Sequence, residues 1–247
     1  MKISNHRVEE IINFIKGLKL DQKFQKEFTK EKIKNILYIN ESLTHSSANS
    51  EINYENLEFL GDAVLRLIAS DFIKTKYPYM QVAERSELRS HLVSDQWLEE
   101  VGKKIEIKSV LVIGNKALRD KSANATIQAE ATEALIGALY ESLTIVEPIK
   151  DWLIPFWEEK SKEVLADPHK KNYKSALQEL TQSKGLSIPI YKTIEIDKEH
   201  DNPKRSFCNV YVKNRSIAEG SGKSIKQAEK NAASKALKYF ENNVIDQ

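Results

Sequence analysis

The chain has 247 residues, 38 Lys and Arg against 36 Asp and Glu, 40% hydrophobic residues and a single cysteine. One cysteine, Cys208, excludes an internal disulfide and a cysteine zinc cage. No apolar run nears the ~20 residues of a membrane span, and the N-terminus lacks a signal-peptide pattern, so a soluble, cytoplasmic protein of one or two domains is expected.

Residues 6–38 alternate apolar and charged positions at helical spacing. Residues 53–75 form a long helical pattern stopped by Tyr77-Pro78. Residues 84–105 read as another helix, ending near Gly102. The stretch 106–125 is broken up by Gly114-Asn115 and Ser122-Ala123-Asn124. Thr126 to Leu143 is helical again. The N-terminal part therefore reads as all-α. Residues 158–172 lose their apolar face after Val164-Leu165 and contain Asp167-Pro168, which predicts a linker.

The pattern then changes. Tyr173 to Ser183 predicts a short amphipathic helix. Pro189 to Ile196 and Phe207 to Val212 predict strands, and Ser216 to Ala218 starts a third. Gly220 and Gly222 are expected to bracket a turn. Ser224 can N-cap a final helix reaching about Phe240, with Ala228, Ala232, Ala233 and Leu237 on its core face. The order α-β-β-β-α predicts a small α+β domain.

Net charge is only +2, but it is split along the chain. Residues 170–240 carry 15 basic and 7 acidic residues, while residues 1–169 carry 23 and 27. A basic C-terminal part points to nucleic acid or another anionic surface. A solvated lysine-rich face is the plain alternative.

The most informative segment is N-Y-E-N-L-E-F-L-G-D, Asn53 to Asp62. Leu57, Leu60, Gly61, Val64, Leu65 and Ile68 form one apolar stripe. Glu55, Glu58 and Asp62 share a separate face, with no basic partner expected at the matching positions. Like charges at this spacing repel, and as hard oxygen ligands they suit Mg²⁺ or Mn²⁺. Phe59 falls beside the acidic face, away from the core stripe, where an aromatic marks an interface or packs under a loop. A second pair, Glu130 and Glu133, stands three apart on the helix from Thr126, among small and apolar neighbours. Carboxylates there must be paired, protonated or metal-bound. Two acidic helices facing each other would build one metal site; a solvated acidic face is the alternative.

Asn53 to Asp62 resembles the signature stretch of ribonuclease III. Leu43-Thr44-His45-Ser46 resembles the segment preceding it in that family, and Glu130 to Tyr140 its second acidic motif. The last 70 or so residues resemble its double-stranded RNA-binding domain. The resemblance implies a catalytic and dimerisation domain over 1–157, a linker over 158–171 and a double-stranded RNA-binding domain over 172–242. It implies a homodimer, with Asp62 and Glu133 catalytic and Glu58, Asp62, Glu130 and Glu133 around the metal. Glu55 and Asn53 would support the site, and Phe59 would insert into the partner subunit. His45 would pack or hydrogen-bond rather than catalyse. Neither a small-molecule cofactor nor a membrane partner is implied.

The implied reaction is Mg²⁺-dependent hydrolysis of double-stranded RNA. It leaves 5′-phosphate and 3′-hydroxyl ends with short 3′ overhangs, and serves processing of ribosomal precursor and messenger RNA. Gln178, Gln182, His200, Lys204, Arg205, Lys223, Lys226 and Lys230 match the RNA-contacting surfaces. The chain departs from the family at several positions. Glu130 stands where Asp is usual, which would lower activity or tilt it toward Mn²⁺. Val82 stands where another acid is common, with Glu84 or Glu87 as candidate substitutes. Pro203 replaces a usual His, and Ile225 a usual basic residue. A dimeric RNA-binding protein with a weakened nuclease site is the competing reading.

Overall fold

A computed structural model of the chain describes residues 3–49, 51–120, 122–166, 173–196, 202 and 204–242. The chain divides into two compact units, Met1–Val164 and Leu165–Gln247. Among the described residues no helix is long and apolar enough to cross a membrane.

The first unit is helical. Its helices are α1 (Asn5–Gly17), α2 (Gln22–Gln25), α3 (Ile33–Ser42), α4 (Glu55–Lys76), α5 (Val82–Leu92), α6 (Asp95–Lys104), α7 (Asn115–Arg119), α8 (Asn124–Leu143) and α9 (Glu147–Leu165). Helix α8 is the central one, packed by α3, α4 and α6. Its sequence explains this: it is rich in Ala and apolar almost all round, so it can only lie inside. Ile127, Ala131, Ala134, Leu135, Ile136, Ala138 and Leu139 are all buried.

Three sequence expectations change here. The pattern over 6–38 is not one helix. It breaks after Gly17, where Lys19 takes φ 58°, and Asp21 restarts a short helix by accepting from Lys23 N–H at 2.9 Å. The pattern over 84–105 is two helices. Ser94 Oγ accepts from Trp97 N–H at 3.2 Å and caps α6, letting the chain turn with Leu92 and Trp97 both buried. Residues 158–165, expected to open the linker, continue α9. Trp157 stacks on Trp97 with centroids 5.8 Å apart and donates to Leu92 O at 3.0 Å. Beyond it Ser161 and Val164 are buried, and Lys160 reaches Glu100 at 2.9 Å. That packing holds the last turns helical although their outer face is charged.

The second unit contains α10 (Tyr173–Ser183), β1 (Ile190–Glu195), β2 (Ser206–Val212), β3 (Arg215–Gly222) and α11 (Ile225–Asn242). The strands form one antiparallel sheet in the order β1-β2-β3. Lys213 and Asn214 both take positive φ, 48° and 62°, which gives the two-residue turn between β2 and β3. Leu177, Cys208, Val210, Ala228, Ala232, Ala233, Ala236 and Leu237 form the core. Gly220 and Gly222 do not bracket a turn; they end β3 beneath α11. A Cβ on Gly220 would stand 2.3 Å from Ala232 N, so no side chain fits there. Ser224 caps α11 as expected, accepting from Gln227 N–H at 3.2 Å.

Candidate active site

Two glycines bring the acidic motifs together. Where α4 crosses α8, a Cβ on Gly61 would lie 2.0 Å from Glu133 O, and one on Gly137 would lie 2.1 Å from Leu57 O. The backbones therefore touch, and residues one turn away on each helix share a small space. Glu58 and Asp62 on α4 face Glu130 and Glu133 on α8 across this contact.

The electrostatics reflect that closeness. Burial and the charges of Asp62 and Glu58 push Glu133 up to about 8. Burial, then Glu130, Glu55 and Asp95, raise Glu58. Asp95, the first residue of α6, thus belongs to the same acidic field. Sequence reasoning passed over it, because it lies 33 residues from Asp62 in a segment read as mid-helix.

Two carboxylates have found local partners. Arg66 Nε donates to both oxygens of Asp62, at 2.6 and 2.8 Å. Arg66 is the basic partner that had not been expected, one turn further along α4. Tyr54 Oη donates to Glu130 Oε2 at 2.5 Å. Burial, followed by the Glu130 carboxylate, pushes that hydroxyl well above the ordinary tyrosine range, so it keeps its proton. Among the described residues no three acidic, imidazole or thiol groups are drawn together as a ready metal shell. The donor set nevertheless fits a divalent cation. It is all carboxylate oxygen, and a bound ion would relieve the repulsion that adds to burial in raising Glu133.

The supporting residues are placed as follows. Asn53 is buried, and its side-chain oxygen accepts from the N–H of Glu55, the first residue of α4, at 3.0 Å. Glu55 is exposed. His45 packs edge-on against Tyr54, and its Nδ1 accepts from Ser47 N–H at 2.9 Å. Phe59 is 84% exposed. Val82 is 77% exposed, and Glu84 is engaged in a capping box with Gln81 N–H at 3.0 Å.

In the second unit Lys204, Arg205 and Lys223 lie at one end of the sheet. Glu195, Ser206 and Gly222 are cross-strand neighbours. Lys204 and Arg205 precede the middle one and Lys223 follows the last. Lys204, Lys223 and Lys226 are exposed, as are Gln178 and Gln182 on α10. The start of α10 packs beside the first turns of α11, through Lys174–Glu229 at 2.7 Å and Lys230 over the Tyr173 ring. Arg205 is paired with Glu195 at 3.3 Å. His200 lies outside the described residues.

Known proteins share both units. Residues 35–146 match the ribonuclease-III-like family and residues 173–240 the double-stranded RNA binding motif. A ribonuclease 3 of Prochlorococcus marinus is 50% identical over 97% of this chain and 96% of its own. A ribonuclease 3 of a Nostoc species is 37% identical over 79% and 81%. The solved nuclease domain of ribonuclease III from Campylobacter jejuni aligns with a TM-score of 0.50 at 25% identity, covering 59% of this chain and 97% of that one. The chain belongs to the ribonuclease III family, endoribonucleases of double-stranded RNA that work with a divalent metal ion.

Proposed function

We propose that this protein cleaves double-stranded RNA by Mg²⁺-dependent phosphodiester hydrolysis, leaving 5′-phosphate and 3′-hydroxyl ends with short 3′ overhangs. The observation that carries the reading is the crossing of α4 and α8 at Gly61 and Gly137, where backbone contact brings Glu58 and Asp62 opposite Glu130 and Glu133. Burial first, then the charges of Asp62 and Glu58, raise Glu133, and a cation held there would relieve the repulsion. When bound, Mg²⁺ supplies an activated water and neutralises charge on the leaving oxygen. Asp62 and Glu133 are its principal holders, with Glu58 and Glu130 completing the oxygen set. Asp62 must exchange Arg66 for the ion. Asn53 fixes the first turn of α4, and Glu55 lies at the exposed rim.

Phe59 is a large apolar side chain on an exposed helix face, which fits insertion into a second copy of the chain. The Campylobacter jejuni domain was studied for flexibility in a region involved in dimer formation. A homodimer carries two sites and cuts both strands, which yields the overhangs. The second unit holds the duplex by shape, through minor-groove 2′-hydroxyls and phosphates. Gln178, Gln182, Lys204, Arg205, Lys223, Lys226 and Lys230 are the contacts, with His200 a further candidate from the sequence alone. Cytoplasmic processing of ribosomal and messenger RNA is the role that fits, with no small-molecule cofactor.

The test is an end-labelled RNA duplex incubated with the protein in Mg²⁺, in Mn²⁺ and in chelator. Metal-dependent products with 5′-phosphates and staggered ends support the reading. Retention of the duplex without cleavage in either metal leaves a dimeric RNA-binding protein instead.

A further inference from the structure

Tyr54 lies in the signature stretch without an expected role there, yet it touches both acidic helices. It immediately precedes α4, and Glu58 N–H donates to its carbonyl at 2.8 Å. Its side chain crosses to α8, where the hydroxyl donates to Glu130 Oε2 at 2.5 Å.

The tyrosine is itself fixed. It is 2% exposed, and its backbone N–H donates to Thr44 O at 3.0 Å. Its ring meets His45 edge-on, with centroids 5.4 Å apart and planes at 80°. Glu130, by contrast, has one more side-chain torsion than the aspartate usual at its position. An unrestrained carboxylate on that longer arm spreads over several rotamers, and ordering it on metal binding costs entropy.

We propose that Tyr54 is a positioning residue for the metal site, holding Glu130 in one rotamer so that a glutamate serves where an aspartate is usual. The bond engages Oε2, and Oε1 would be the oxygen left to hold a cation. The inference rests on the metal-dependent reading above, with Glu130 at the metal.

The experiment is calorimetric titration of Mn²⁺ into the chelator-stripped full-length protein, without RNA. Tyr54→Phe keeps the ring and its contact with His45, so the fold is retained, which melting checks. Loss of a partner that orients a metal ligand weakens metal binding by about 10–100-fold, and that loss is expected here. In a Glu130→Gln background, Tyr54→Phe is expected to change the affinity by less than about two-fold, since the two act as one unit. Unchanged affinity in Tyr54→Phe overturns the inference, as does an equal loss in the Glu130→Gln background. A parent that binds Mn²⁺ and loses it in Glu133→Ala keeps the nuclease reading standing even then. A parent that neither binds Mn²⁺ nor cuts duplex removes both.

Discussion

Gly61 and Gly137 meet backbone to backbone, and their contact sets the distance between the two acidic motifs. Alanine at either position gains roughly 1 kcal/mol of helix propensity over glycine. The gain is outweighed, because a Cβ 2.0 Å from Glu133 O or 2.1 Å from Leu57 O meets backbone that cannot rotate away. Overpacking of this kind costs about 1–3 kcal/mol or more, a fall of roughly 3–10 °C in melting temperature. Gly61→Ala and Gly137→Ala are therefore expected to melt early and to cut RNA poorly even well below their melting point. Calorimetry with a duplex cleavage assay checks both halves.

Glu133 makes the metal-free protein sensitive to alkali. Its ordinary value is 4.5 and its folded value about 8. Across that window the folded protein binds more protons than the unfolded chain, so stability falls as pH rises, and the loss is complete above about 8. Glu58, also raised, adds to the same slope. Melting of chelator-treated protein as a function of pH should show this decline, and Glu133→Gln should flatten it. A divalent cation should restore stability at the alkaline end, since it takes the place of the proton.

Phe59 predicts self-association that depends on one side chain. It is 84% exposed, so its removal leaves the packing of the single chain intact. An aromatic anchor at the centre of an interface contributes about 2 kcal/mol or more, so Phe59→Ala should weaken the dimer by about 30-fold. Sedimentation across a concentration series reads this directly, with a melting curve to show that the monomer is folded.

The basic end of the second unit predicts a salt-dependent loss. Lys223 and Lys226 are exposed at the start of α11, where the helix N-terminus also favours anions. Removing each phosphate contact should lower the slope of log affinity against log salt by about 1. Lys223→Ala with Lys226→Ala should therefore flatten the salt dependence of duplex binding and weaken it for every sequence alike.

Much of this was legible in the sequence because it is periodic or local. The amphipathic spacing of Leu57, Val64, Leu65 and Ile68 located α4, and the switch to alternation at Ile190 located the sheet. Ser224 as an N-cap is a short-range signal. What escaped depends on residues far apart in the chain. Tyr54 and Glu130 are 76 positions apart, and no pattern within a helix pairs them. The last turns of α9 looked like linker because their burial comes from α5 and α6, through Trp157, Leu92 and Trp97. Arg66 stands one turn after Asp62 on α4, a local i, i+4 pairing that the sequence itself displays. Type and spacing single out the candidate metal residues, whereas the partnership of Tyr54 with Glu130 is a product of the fold.

The most direct measurement is duplex binding and duplex cleavage by the parent and Glu133→Ala, side by side in Mg²⁺. Metal stabilisation of the transition state amounts to several kcal/mol, and each 1.36 kcal/mol is tenfold in rate. The variant should therefore cut at least about 10²-fold more slowly while binding the duplex as tightly as the parent. Cleavage by Glu133→Ala at the parental rate would contradict the account, because the crossing of α4 and α8 would then not be where the chemistry happens.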